Sequence, residues 1–185
     1  CNPKLDFELE PHQMFIRNFL SFQTPYNGLL LFHGLGTGKT CSSISVCEDM
    51  RTYYKQLGIT KKIMIVASPV VQENYKIQLF DERALKKING LWNSKACTGN
   101  KFIKEINPTN MKYLTKEKVI KQIKKIIRQS YEFVGYTEFA NIINKISGKK
   151  SQGKTGDKEK KLRRKISAIK KEFSDRLLVI DEVHN

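Results

Sequence analysis

The residues best suited to chemistry in this chain form one short run, Gly34-Leu35-Gly36-Thr37-Gly38-Lys39-Thr40. Glycine at every second position lets the backbone turn tightly and aim its N–H groups at one anion. A helical stretch from about Lys39 to Leu57 follows, so its N-terminus adds a positive dipole to the same point. In that setting the Lys39 ammonium reaches the β- and γ-phosphates of a nucleotide and the Thr40 hydroxyl ligates Mg²⁺. Gly34, Gly36, Thr37 and Gly38 supply the cradle. The strict pattern G-x-x-x-x-G-K-S/T asks for glycine at position 33, where this chain carries His33.

A second run, Leu178-Val179-Ile180-Asp181-Glu182-Val183-His184, ends a short apolar strand on two acids. A carboxylate there suits Mg²⁺, which assigns Asp181 to the metal. The neighbouring Glu182 is placed to polarise an attacking water, and His184 completes a D-E-x-H box. Alone, such a carboxylate pair could simply face solvent. The phosphate loop upstream gives it a task, and Lys39 and Glu182 become the catalytic candidates.

With loop and box together, the chain resembles the superfamily 2 helicase/translocase family. The resemblance implies a three-layer α/β RecA-like P-loop domain with a parallel sheet. It also implies hydrolysis of Mg-ATP coupled to movement along, or remodelling of, nucleic acid. Leu9-Glu10-Pro11-His12-Gln13 looks like the family's upstream Q-motif, which implies that the Gln13 amide pairs with the adenine edge and favours ATP. Ile65-Val66-Ala67-Ser68-Pro69-Val70-Val71-Gln72-Glu73-Asn74-Tyr75 looks like motif Ia, which implies backbone contacts to nucleic acid through Ser68 and Pro69. Phe133-Val134-Gly135-Tyr136-Thr137-Glu138-Phe139 is similar to the family's "TYE" segment near motif Ib and adds Tyr136 and Thr137 to those contacts.

Further residues narrow the resemblance: His12-Gln13-x-x-x-x-Asn18-Phe19, Thr24-Pro25-Tyr26, Leu31-Phe32-His33-Gly34 and the final Asp181-Glu182-Val183-His184-Asn185. They look like the transcription-linked branch of large cytoplasmic DNA viruses, which includes poxvirus nucleoside triphosphatase I and the early transcription factor small subunit. That branch is akin to the chromatin-remodelling ATPases. It implies DNA rather than RNA as polymer, RNA polymerase or transcription factor subunits as partners, and a cytoplasmic or virion-associated location. The family closes ATP between two RecA-like domains, yet this chain carries no motif III after Asp181. The expectation is therefore the N-terminal part of a larger protein, cut short after motif II, which by itself binds nucleotide weakly and hydrolyses it negligibly.

The loop and the box need elements to position them. Pro11 to Phe22 reads as a helix with Phe15, Phe19 and Phe22 on one face. Thr24 to Gly28 is a turn. Leu29 to Phe32 is a buried strand leading into the phosphate loop. Ile63 to Ala67 is a second buried strand, stopped by Ser68-Pro69, and residues 70–80 are helical. Residues 116–129 are an amphipathic helix built on Val119, Ile120, Ile123, Ile126 and Ile127. Tyr131 to Tyr136 is a third strand, followed by a helix to about Ile146. Residues 147–161 read as a mobile Gly/Ser/Lys-rich stretch, 162–173 as a basic helix, and Leu177 to Asp181 as a fourth buried strand. Short apolar strands alternating with helices imply a parallel sheet covered on both faces. Residues 81–115 have no clear period, and the segments 81–130 and 147–175 read as insertions outside the resemblance, which covers most of 9–80 and 131–185.

Composition bounds the rest. A chain of 185 residues, 39% hydrophobic and 28% charged, has the make-up of a folded globular domain. Its longest apolar run is far too short for a spanning helix, so no membrane is expected. The net charge of +16 sits in two segments, 101–128 and 145–171, and the remainder is near neutral. Such segments meet a polyanion or are merely solvated insertions; nucleic acid fits the motifs. The four cysteines (Cys1, Cys41, Cys47, Cys97) show no Cys-x-x-Cys spacing. The expectation is neither zinc nor a disulfide, and a reducing intracellular compartment. Two alternative activities keep the same loop: an RNA helicase, and a non-motor, nucleotide-gated DNA-binding subunit. A small-molecule P-loop kinase fits less well, because such kinases lack a D-E-x-H box.

Overall fold

Pro11 opens α1 (Pro11–Phe19), where a missing N–H leaves nothing unsatisfied. Glu10 and Gln13 close a reciprocal capping box around that start. The helix stops a turn earlier than its aromatic period suggests. Thr24 explains this: its hydroxyl donates to the carbonyls of Phe19 (2.6 Å) and Ser21 (3.0 Å), ending the helix in a turn. Phe22 then stacks on Tyr53, with ring centroids 4.6 Å apart. The computed structural model describes residues 8–34, 36–108, 114–148 and 158–183. They fall into two compact units, one of residues 1–60 and 73–131, the other of 61–72 and 132–185.

In the first unit α1 packs on α2 (Lys39–Leu57). That helix runs between two left-handed glycines, Gly38 (φ 77°) and Gly58 (φ 69°). Its interior face is unusually polar, burying Ser42, Ser43, Ser45, Glu48 and Arg51 beside Ile44, Val46, Cys47 and Tyr54. The region without a clear period contains a hairpin of β2 (Lys86–Ile88) and β3 (Leu91–Asn93), antiparallel, with Ile88 opposite Leu91. Asn89 and Gly90 turn it with φ of 51° and 80°, the left-handed pair that tight hairpins prefer. α4 (Lys101–Ile106) and α5 (Lys116–Ser130) pack together through Phe102, Ile103, Val119 and Ile123, all buried. Residues 81–130 thus supply core to this unit. Cys41 and Cys97 are joined in a disulfide, with Cα atoms 5.3 Å apart. The expectation of no disulfide is overturned, and the compartment argued from it loses its basis. A separation of 56 residues hides such a pair from any spacing rule, because only the fold brings the two together.

The second unit is built on a three-stranded sheet in the order β4-β1-β5, of β1 (Ile63–Val66), β4 (Tyr131–Val134) and β5 (Leu178–Ile180). β1 and β5 are parallel, with Ile65 opposite Val179, and the Ala67 N–H donates to Val134 O (3.1 Å) beyond the end of β1. β1 is central and fully buried. α6 (Tyr136–Gly148) and α7 (Lys158–Phe173) cover the sheet through a cluster of Met64, Val66 and Val134 with Tyr136, Phe139, Ile142 and Phe173. α3 (Pro69–Leu79) starts at the turn after β1 and carries the chain into the first unit. Strands and helices alternate around a parallel sheet, so the chain is α/β.

Three expectations change. Leu29 to Phe32 forms no strand; Leu30 is 71% and Phe32 93% exposed. An apolar run becomes a strand only when a neighbour takes its N–H and C=O groups, and among the described residues none does so here. β5 is half-buried rather than buried, since it lies at the sheet edge. The mobile reading of 147–161 fails at both ends, where α6 runs to Gly148 and α7 starts at Lys158; residues 149–157 lie outside those described. No helix among the described residues is long and apolar enough to cross a membrane.

Candidate functional site

The phosphate loop keeps the conformation its glycines allow. Gly36 (φ 78°) and Gly38 (φ 77°) are both left-handed, and Gly38 is the N-cap of α2. No side chain caps that helix start and no acid lies in its first turn. Its leading N–H groups and its dipole therefore point out with nothing of the cap's own to receive them. Thr37 Oγ1 donates to Gly34 O (3.0 Å), drawing the loop into a turn. Lys39 Nζ donates to the carbonyls of His33 (2.9 Å) and Gly34 (3.2 Å), so the ammonium lies over the loop it would serve. The Thr40 carbonyl accepts from Ser43 Oγ (2.9 Å).

α1 braces this loop. The Gln13 amide accepts from the Glu10 N–H (3.1 Å) and donates to Gly38 O (3.4 Å), and Gln13 is buried. Glycine is required at 38 for its left-handed φ, and a Cβ there would lie 2.4 Å from Gln13 Nε2, so a side chain would also push the Gln13 amide off the loop. His12 Nε2 donates to Thr37 O (2.9 Å), and its ring meets His33 edge to face at 6.1 Å. Position 33, where the strict pattern wants glycine, is thus part of a small histidine contact. The contact of His12 with the loop was missed in the sequence, where it was only one letter of a family pattern.

In the second unit the candidate residues gather at the carboxyl ends of the strands, where parallel sheets present their ligand sites. The Asp181 N–H donates to Val66 O (3.0 Å), holding Asp181 in line with β5. Glu182 follows with φ 48°, a left-handed value that is costly for glutamate and turns the chain sharply at that residue. Tyr136 Oη donates to Asp181 O (2.9 Å). Desolvation first, then the charges of Asp181 and Glu182, raise the Tyr136 phenol above its ordinary range, while a hydrogen bond from the Ser68 backbone opposes them. Ser68, Tyr136, Asp181 and Glu182 are therefore neighbours. Pro69 starts α3 just beyond Ser68, and Thr137 lies exposed in the first turn of α6. His184 lies outside the described residues.

One polar cluster was not legible beforehand. Glu48 Oε1 accepts from Tyr131 Oη (2.6 Å) and Arg51 Nε (2.9 Å), and Oε2 accepts from Arg51 NH2 (2.7 Å). Arg51 NH2 also reaches Glu105 Oε2 (2.9 Å), and Lys101 Nζ donates to Glu48 O (2.7 Å). Glu48, Arg51 and Tyr131 are each 3% exposed, so water does not screen them. The pair spacing of Glu48 and Arg51 was available, but nothing marked that face of α2 as buried.

The chain is similar to proteins of large DNA viruses. A protein of Acanthamoeba polyphaga mimivirus named as an ATP-dependent RNA helicase (L377) is 27% identical over 97% of this chain and 15% of the relative. A second mimivirus protein of like name (R563) is 27% identical over 100% of this chain and 25% of its own length. A protein of Frog virus 3 named as a helicase (009L) is 27% identical over 94% of this chain and 14% of its own. The chain thus spans a quarter or less of these relatives. No family model matches, and no solved structure matches.

Proposed function

We propose that this chain is the ATP-binding part of an ATP-dependent nucleic-acid helicase or translocase of superfamily 2, with a RecA-like fold. The observation that carries the reading is the phosphate loop: two left-handed glycines lead into a helix start with no side-chain cap and no acid, and Lys39 lies over the loop. The names of the viral relatives support it. Lys39 would leave the carbonyls of His33 and Gly34 for phosphate oxygens, a contact that strengthens as charge moves in the transition state. Thr40 and Asp181 each carry the hard oxygen donor that Mg²⁺ prefers, and would be the residues that hold it. The bound ion would neutralise charge on the phosphates. Glu182 would orient and deprotonate the attacking water. Gln13 would read adenine, in addition to bracing the loop. Ser68, Pro69, Tyr136 and Thr137 would touch the nucleic-acid backbone.

The motif pattern of the viral transcription-linked branch favours DNA as the polymer and transcription as the setting, with RNA polymerase or transcription factor subunits as partners. The names of the mimivirus relatives favour the second reading, an RNA helicase. One experiment separates them. The ATPase rate of the complete protein is measured alone and with duplex DNA, single-stranded DNA or RNA, with Lys39→Ala as control. Stimulation by DNA alone, lost with Lys39→Ala by about a hundredfold or more, supports the DNA motor. Stimulation by RNA alone moves the assignment to an RNA helicase. Nucleic-acid binding without ATPase under any condition would leave a non-motor binding subunit and overturn the proposal.

A further inference from the structure

α7 carries a charge pattern that the ATP site does not use. Lys160, Arg163, Arg164, Lys170 and Lys171 are all exposed. At 100° per residue they occupy an arc of about 120° along one side of the helix, over a length of about 16 Å. Among the described residues only Arg163 of these five has an acidic partner, Glu159 at 2.6 Å. The other side of the helix binds its own unit. Phe173 meets Phe139 with ring centroids 5.9 Å apart, and Ala168 is buried. The C-terminal end is tied down: Lys61 Nζ donates to the carbonyls of Lys171 (3.0 Å), Glu172 (3.1 Å) and Ser174 (2.7 Å). Arg176 pairs with Glu132 and donates to Lys62 O (2.9 Å). A helix anchored by one face and one end thus holds five cations in a fixed row towards solvent.

We propose that this row is a second nucleic-acid contact, reading the phosphate backbone without base specificity. It rests on the nucleic-acid motor reading and adds a site to it. One strand of duplex advances about 3.4 Å per phosphate, so a row of about 16 Å spans about five phosphates, with Lys160, Arg163 and Arg164 grouped towards one end and Lys170 and Lys171 at the other. No aromatic residue lies in 145–171, so the segment has no platform for stacking bases and charge alone recognises the polymer. Five exposed cations on one side of the helix, with one acidic partner among the described residues, complement a continuous polyanion such as a phosphate backbone.

The test compares the complete protein with a variant carrying Ala at 160, 163, 164, 170 and 171. A second variant, Lys160→Arg, Lys170→Arg and Lys171→Arg, keeps the charge. Binding to duplex DNA, single-stranded DNA and RNA of equal length is titrated across salt concentration, with anionic phospholipid vesicles as a further arm. The alanine variant should lose about tenfold or more in affinity, and its log–log salt slope should drop by about one for each contact removed. The arginine variant should bind as the parent does, and basal ATPase should be unchanged in both. Equal slopes for parent and alanine variant would overturn the site while leaving the motor reading intact. A parent that binds vesicles but no nucleic acid would overturn the site as well; its Lys39-dependent basal ATPase then shows whether the nucleotide assignment survives alone.

Discussion

Glu48→Ala is the most searching test of the packing around the buried face of α2. The Glu48 carboxylate takes three hydrogen bonds, two from Arg51 and one from Tyr131, and its side chain is only 5% exposed. Removing it leaves a buried guanidinium and a buried phenol without their main acceptor. Breaking a buried pair from one side costs about 3–5 kcal/mol, since the surviving charge stays desolvated. Arg51 keeps Glu105 at 2.9 Å, which places the expectation near the lower end, about 3 kcal/mol. For a chain of this size that is a drop in melting temperature of roughly 6–12 °C. Trp92 is the chain's one tryptophan and lies in the same unit, its Nε1 donating to Leu114 O (2.9 Å). Urea unfolding followed by its fluorescence reads the loss directly. Glu48→Gln, which keeps the shape and an acceptor for Tyr131, should fall between the two. A loss below about 1 kcal/mol for Glu48→Ala, the range of an exposed ion pair, would refute the claim that this cluster is desolvated and cooperative.

Glu182→Gln should leave ATP binding intact and abolish turnover, because the amide keeps the shape but cannot take a proton; unchanged turnover in the complete protein removes Glu182 from the chemistry. Burial and the Glu48 charge raise both the Cys47 thiol, above its ordinary 9.0, and the Tyr131 phenol, well above 10.0. The folded chain therefore keeps protons that the unfolded chain releases, so stability is level below about pH 9 and falls as pH rises beyond it. Urea midpoints taken upward from about pH 8 should show that fall, and Tyr131→Phe with Cys47→Ala should flatten it; an equal slope in the double variant would contradict the assignment. The Cys41–Cys97 bridge closes a loop of 56 residues, and loop entropy makes it worth up to about 4 kcal/mol. Melting should drop on reduction and in Cys97→Ser; identical melts, with thiol titration proving that the bridge has opened, would show that it contributes nothing.

What the sequence determined was local. Gly36, Gly38 and Gly58 set left-handed turns that bound α2 where its pattern placed it, between Lys39 and Leu57. Pro11 and Pro69 start α1 and α3, and the apolar run from Ile63 is a buried strand. Each of these depends on backbone preferences within a few residues, which a linear reading can see. The hairpin at Asn89-Gly90 was legible in the same way but was obscured by its surrounding lysines. The tertiary structure alone decided the rest. Leu29 to Phe32 is as apolar as Ile63 to Val66, yet only the second run is given ladder partners on both sides. Cys41 meets Cys97 across 56 residues, and Tyr131 meets Glu48 across 83. Ser68, Tyr136 and Asp181 become neighbours because parallel strands end together. Which distant groups meet depends on how strands and helices choose partners, a choice made by burial and hydrogen bonding over the whole chain and encoded in no single segment of it.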